Sequence, residues 1–317
     1  TTGIQNTLIG GLAGDAITTG SNNVALGRSS LGANTTASNN TAVGYNSLVA
    51  NTTGTSNVAV GANALDANTT AHNNTAVGYD ALTTNTTGAS NTALGQGALE
   101  LNTTASNNTA GVQNTLIGGL AGDAITTANA NTALGYSSLG ATTTGALNTA
   151  IGLGALATNV TGNQNVALGY NALNLSTVDG YNTAIGSQSL GGNTTGTQNV
   201  AVGYTSSTGN TTGSTNTSIG YAALNANTTA GSNTAVGGWS LYANTTGASN
   251  VAVGRNALKA NTTASSNTAI GHNALLGNTT GYANTAIGRA SMTSNTTGGY
   301  NSAFGYESLA LNTTASY

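Results

Sequence analysis

The chain is one seventeen-residue unit written again and again, typified by Asn40-Thr41-Ala42-Val43-Gly44-Tyr45-Asn46-Ser47-Leu48-Val49-Ala50-Asn51-Thr52-Thr53-Gly54-Thr55-Ser56. A short fixed period with no helix-length apolar face inside it restricts such a chain to a repeat solenoid, in which each unit buries its core against its neighbours. With the Asn of Asn-Thr-Ala-Val-Gly as position 1, units begin at Asn6, Asn23, Asn40, Asn57, Asn74 and Asn91, then at Asn114 and every seventeen residues to Asn301. The expected fold is all-β: a parallel β-solenoid of eighteen 17-residue coils, with two or three short strands per turn.

Alternation within a coil assigns faces. Position 4 is Val, Ile or Leu in every coil except the last, where it is Phe304, and is read as the inward face. Position 5 is Gly throughout, from Gly10 to Gly305, which fits a bend with positive φ or a backbone in close approach. Position 9 is a second core site, Leu except at Gly14, Gly122, Ser207 and Met292. Asn at positions 1 and 12 is expected to stack in amide ladders along the coils. Positions 3 and 8 are read as outward. They stay small and uncharged, which predicts that a second chain packs against them and that the protein is a homo-oligomer. One Leu and one Val or Ile per coil is little apolar burial, and this also calls for further buried surface.

The period slips once. Residues 108–113, resembling positions 12 to 17, separate the coil of Asn91 from that of Asn114, and Asn114 through Thr127 repeat Asn6 through Thr19 without a change. The chain is therefore read as two modules of one rod, 1–107 with six coils and 108–317 with twelve, the first opening on a partial coil at 1–5. That partial coil makes the sequence look like a piece of a longer array.

Composition bounds the chemistry. The 317 residues include no Cys and no Pro, 3% are charged, and the formal net charge is -3. Neither high net charge nor low hydrophobicity marks the chain as disordered. Four scattered cations, Arg28, Arg255, Lys259 and Arg289, cannot neutralise a row of phosphates, so nucleic acid is not an expected partner. No apolar run is long enough for a membrane span. Without Cys there are no disulfides and no thiolate metal sites.

Residues that invite chemical readings are better explained as structure. Gly10-Gly11-Leu12-Ala13-Gly14-Asp15 has the wrong Gly and Asp spacing for a calcium-binding nonapeptide, and it occurs only twice. His72 and His272 stand alone, and Asp66, Asp80, Glu100, Asp179 and Glu307 fall at changing coil positions. No triad, metal site or acid–base pair is expected, and so no enzyme and no cofactor. Asn-Thr-Thr, present in thirteen coils, spells an N-glycosylation acceptor, but its ladder position gives the structural reading precedence. Tyr45, Tyr79, Tyr136, Tyr170, Tyr204 and Tyr221 share position 6 and form a candidate column for glycan stacking or an oligomer seam; Trp239 could also stack on sugars.

The unit Asn-Thr-Ala-Val-Gly-Tyr-Asn-Ala-Leu-x-x-Asn-Thr-Thr-Gly resembles the repeats of bacteriophage and bacterial tail-fibre-domain proteins and, more distantly, the heads of trimeric autotransporter adhesins. The resemblance covers essentially the whole chain. It implies a left-handed β-roll in a homotrimeric, extracellular, cell-surface or virion fibre. The coil here is longer than the adhesin coil, and neither a coiled-coil stalk nor a self-cleaving chaperone domain is present. The expected function is a rigid structural rod. Alternatives are a glycan- or receptor-binding adhesin and an ice-binding solenoid built on stacked Thr, and open strand ends also allow end-to-end filaments.

Overall fold

The computed structural model describes residues 2–101, 113–178 and 180–316. Among these, every regular element is a three-residue strand at coil positions 2 to 4. The chain divides into two compact units, residues 1–163 and 164–317. The first carries β1 (Thr7–Ile9), β2 (Val24–Leu26) and one strand per coil to β9 (Thr149–Ile151); the second runs from β10 (Val166–Leu168) to β18 (Ser302–Phe304). Within each unit, consecutive strands pair in parallel, with residues seventeen apart as partners, as in Thr41↔Val58, Ala42↔Ala59 and Val43↔Val60. The parallel β-solenoid is thus the fold. No helix among the described residues is long and apolar enough to cross a membrane.

One strand per coil replaces the two or three expected. Positions 6 to 11 form turns and positions 13 and 14 a bend, yet the backbone outside the strand still bonds coil to coil: Leu48 N–H donates to Ala64 O at 3.0 Å, and Thr52 N–H to Thr69 O at 2.9 Å. In the coils whose positions 5, 7, 9 and 17 are all described, four positive φ values bend the chain where β-structure would run straight. In the coil of Asn40 these are Gly44 (136°), Asn46 (55°), Leu48 (50°) and Ser56 (58°). Gly44 allows no substitute, because a Cβ there would lie 2.4 Å from the Gly61 carbonyl oxygen of the next coil.

The faces of the strand are opposite to the sequence expectation. Position 3 is interior, with Ala25, Ala42, Ala59 and Ala76 fully buried, whereas the Val, Ile or Leu of position 4 faces out. Position 8 is also interior, as Ser47, Ala64 and Ala81 show. Positions 3 and 8 therefore cannot be the seam with a second chain. They stay small because the Leu of position 9 fills the space between them.

The exceptions demonstrate that volume constraint. Leu replaces Ala at position 3 in only two coils, and in both the position-9 Leu becomes Gly: Leu8 with Gly14, Leu116 with Gly122. A Cβ on Gly122 would fall 2.7 Å from a Leu116 methyl and 2.9 Å from Ile125. Where Ser207 stands for Leu, the next coil has Ser218 for Ala, and the two hydroxyls bond at 2.8 Å in the core.

Of the inserted segment, residues 108–112 lie outside the described residues, as does Asp179. Across it, β6 (Thr92–Leu94) and β7 (Thr115–Ile117) remain in parallel register, Thr92↔Thr115, so the step of twenty-three residues leaves the ladder in phase.

Candidate functional site

In most of the described coils the recurring asparagines of positions 1 and 12 are buried and hydrogen-bonded. The Asn57 backbone N–H donates to Asn40 Oδ1 at 2.9 Å, and Asn57 Oδ1 accepts the Asn74 N–H at 3.0 Å. Its Nδ2 donates to the Ala71 carbonyl at 2.8 Å, closing the coil, and Asn68 Nδ2 reaches the same carbonyl at 3.3 Å. Asn68 Nδ2 also donates to Asn51 Oδ1 at 2.8 Å, so position 12 forms the expected amide ladder. The Asn-Thr-Thr amides of Asn51, Asn68 and Asn210 are fully or almost fully buried, which withholds them from a glycosylating enzyme on the folded chain. Thr at position 13 is engaged too: Thr52 Oγ1 donates to Thr69 O at 3.0 Å, and Thr211 Oγ1 to Thr228 O at 2.9 Å.

His72 takes a place other coils give to serine. Its Nδ1 accepts the Thr55 N–H at 2.9 Å, as Ser38 Oγ accepts the Ser21 N–H at 3.0 Å. Among the described residues no three His, Cys, Asp or Glu side chains gather as metal ligands. Burial raises the Asp66 carboxyl above its ordinary value, and the charge of Asp80 adds to this, against a lowering bond from the Ala67 backbone. Burial raises Asp123 likewise. A surface depression of about 320 Å³, lined by residues that include Asn171, Leu175, Gln188 and Thr208, holds no titratable side chain.

Two exposed surfaces stand out. The first is the outer face of the strands: Thr, Val or Ser at position 2 beside Val, Ile, Leu or Phe at position 4, with no charge in any coil. In unit 2 it includes the exposed Leu168, Ile185, Ile219 and Ile270.

The second is the position-6 column. All six expected tyrosines are exposed, between 49% for Tyr45 and 56% for Tyr136. Tyr45, Tyr79, Tyr136 and Tyr170 are not brought against one another, because each is separated from the next by an intervening coil or more. Tyr204 and Tyr221 occupy adjacent coils and stack, with centroids 5.7 Å apart and planes at 19°. Tyr221 meets Trp239 edge-on at 5.2 Å, and Trp239 carries the Arg255 guanidinium at 5.3 Å and the Lys259 ammonium at 5.6 Å from its centroid. These geometries suit quadrupole and cation–π attraction. Arg28 on Tyr45 and Arg289 on Tyr306 repeat the arrangement at 5.9 and 5.4 Å. The cations at this ridge were absent from the sequence-derived column. Numbering them modulo seventeen reveals them, since Arg255 and Arg289 hold position 6 and Lys259 position 10.

Comparison with protein-family models and with curated proteins finds no match.

Proposed function

We propose that this chain is a structural component of an extracellular, cell-surface or virion fibre, a non-enzymatic element whose coils supply stiffness and a regular lateral surface. The observation that carries the reading is the outer strand face, uncharged and nearly uniform from coil to coil. An uncharged, repeating surface with an aliphatic column suits association with copies of itself, and a trimer in such a fibre would use positions 2 and 4 rather than the buried positions 3 and 8. Cryo-electron microscopy of the native assembly tests this. More than one solenoid per cross-section, with the strand face in the seam, is expected; a single solenoid with that face in solvent overturns the lateral assembly. Prolonged trypsin treatment tests stiffness separately, because rapid cleavage after Arg255 or Lys259 is incompatible with a stably stacked array.

The ridge of Tyr204, Tyr221, Trp239, Arg255 and Lys259 favours a second reading, glycan binding. Aromatic faces accept sugar rings, and the adjacent cations suit acidic ones. Saturable binding on a glycan array, lost in Trp239→Ala and Tyr221→Ala, is its expected result, and binding unchanged by both substitutions overturns it. The ice-binding alternative has less support, since one of its Thr columns donates its hydroxyls to the next coil.

A further inference from the structure

Positions 16 and 17 of a coil are mostly Ser, Thr, Asn, Gln, Ala or Gly, and among the described residues two aromatic rings meet there only at Tyr282 and Tyr300. Tyr282 holds position 16 of its coil and Tyr300 position 17 of the next. Their centroids are 5.0 Å apart and their planes stand at 74°, so the rings form a corner. Both are exposed. Gly299 makes the room: a Cβ there would stand 3.5 Å from Tyr282 Cε1 and 3.6 Å from Cδ1. The Tyr282 ring therefore leans over Gly299, toward the coil that follows and away from Ser265 in the coil before.

That placement leaves a backbone donor free. Elsewhere a position-16 side chain accepts the position-16 N–H of the preceding coil, as Ser38 Oγ takes the Ser21 N–H and Ser265 Oγ the Ala248 N–H, both at 3.0 Å. A phenol ring cannot take this role, and the Ser265 N–H has no partner in the chain. The same N–H is free in some other coils, Ser214 before Gly231 among them, but no ring pair stands beside it there. The hydroxyls of Thr263, Ser266 and Thr280 also bond nothing else in the chain. These groups and the two rings line one open depression of about 540 Å³, within the size range of small-molecule sites. Tyr300 moreover holds φ 58°, a conformation that Asn and Ser fill at this position in other coils and that a bulky side chain resists, and its ring gains no burial in return.

We propose that this corner binds a neutral carbohydrate. A pyranose ring joins an apolar C–H face to a rim of hydroxyls, which matches an aromatic face beside one N–H donor and three hydroxyls able to donate or accept. Residues 261–267, 278–284 and 295–301 carry no charged side chain, so a sugar carboxylate would find no cation here, in contrast to the ridge around Trp239. The site lies on a different edge of the coil from that ridge, goes beyond the fibre reading and does not depend on it.

Saturation-transfer NMR tests the site, with maltohexaose, cellohexaose and chitohexaose acetylated on nitrogen as the neutral probes. Transfer from the protein to the ring protons of at least one of them is expected. It should fall about fivefold or more in Tyr282→Ser and in Tyr300→Ser. Both substitutions return a residue that other coils use at the same position, as Ser38 and Ser56 do. In Tyr282→Ser the new hydroxyl can also accept the Ser265 N–H, so an unchanged or raised melting temperature shows that the loss is not one of folding. Tyr181→Ser removes an exposed tyrosine from position 17 of a coil without such a corner and should leave transfer unchanged. No transfer to any of the three probes, or transfer that survives both tyrosine substitutions, overturns the proposal. A smaller sedimenting mass in Tyr282→Ser, with sugar transfer as before, would assign the rings to contact between copies and overturns it as well.

Discussion

Replacing Asn233 by alanine should destabilise its coil more than replacing Asn244, although both residues are fully or nearly fully buried asparagines eleven residues apart in one coil. Asn233 Oδ1 accepts the backbone N–H of Asn250 at 2.9 Å and its Nδ2 at 3.2 Å, and Asn233 Nδ2 donates to the Gly247 carbonyl at 2.9 Å. In Asn233→Ala the buried Asn250 N–H has no acceptor, which costs about 1–3 kcal/mol, and the emptied volume brings the expected loss to about 2–4 kcal/mol. The Gly247 carbonyl adds little, since Asn244 Nδ2 still reaches it at 2.9 Å. Asn244→Ala empties a similar volume, takes from Asn227 Oδ1 a donor at 3.0 Å, and deprives Asn261 Nδ2 of one acceptor at 2.8 Å but leaves it the Ala264 carbonyl at 3.0 Å. With no backbone donor stranded, its expected cost is about 1–2 kcal/mol. Trp239, the sole tryptophan, sits in the same coil, so urea titration followed by its fluorescence reads the affected coil even if the array unfolds in parts. Equal losses within about 0.5 kcal/mol, or a larger loss for Asn244→Ala, would refute the view that capture of the backbone N–H is what fixes asparagine at position 1.

Three further outcomes follow from the geometry. Gly254→Ala puts a Cβ 2.6 Å from the Gly271 carbonyl oxygen at φ 130° and should unfold its coil, whereas Gly238→Ala, whose Cβ would have only the Tyr221 carbonyl oxygen at 3.9 Å and whose φ is not positive, should cost little; circular dichroism melts compare the two. Thr205 holds φ 52°, a conformation β-branched residues resist and asparagine accepts, so Thr205→Asn should raise stability by about 0.5–1 kcal/mol in urea titration. Burial raises Asp66, so the folded chain takes up its proton before the unfolded chain does: stability should rise as pH falls through the raised value, with the full gain below the ordinary aspartate range, and Asp66→Asn should flatten that part of a pH–melting profile.

Periodicity made the coil length, the positive φ at Gly44, the burial of Leu48 and the Asn ladder legible. It misjudged the strand face for a physical reason. A three-residue strand turns only its middle residue inward, and the bends at positions 5, 7 and 9, not the bulk of the side chains, choose which residue that is. The larger Val43 therefore faces out while Ala42 fills the narrow interior. The correct phase was available in the exceptions: Leu8 coupled to Gly14, Leu116 to Gly122, and Ser218 to Ser207 in the coil before it, are exchanges of volume or polarity that require position 3 to touch position 9. The ridge around Trp239 was legible only in part, because a cation over a ring depends on side chains from adjacent coils at different positions.

The same geometry separates the residues that build the coil from those free to carry recognition. Among the described residues positions 1, 3, 8, 9, 12 and 15 are interior in most coils, and position 5 is closed by the next backbone, so replacements there stay close in volume, as Met292 for Leu and Thr142 or Ser176 for Asn do, or come as exchanges such as Leu116 with Gly122. Positions 6 and 10 lie at the surface; position 10 bonds a carbonyl of the preceding coil where it is Thr208 (to Gln188 O, 2.8 Å) or Asn225 (to Thr205 O, 2.9 Å), yet it also holds Gly, Ala and Val. Across the chain position 6 is Gly, Arg, Tyr, Ala, Gln, Leu, Ser or His, and position 10 ranges from Asp15 to Lys259. Stability in a stack of coils is set by each coil and its neighbours, so substitutions at these two positions alter surface chemistry without a cost that spreads. Specificity on this edge of the coil is accordingly expected in the pattern along positions 6, 7 and 10, and the densest such pattern is the run from Tyr204 to Lys259. Grafting Tyr221, Trp239, Arg255 and Lys259 onto the corresponding positions of three coils in the other unit should transfer any ligand that ridge binds, and failure to transfer it would show that recognition depends on more than these exposed columns.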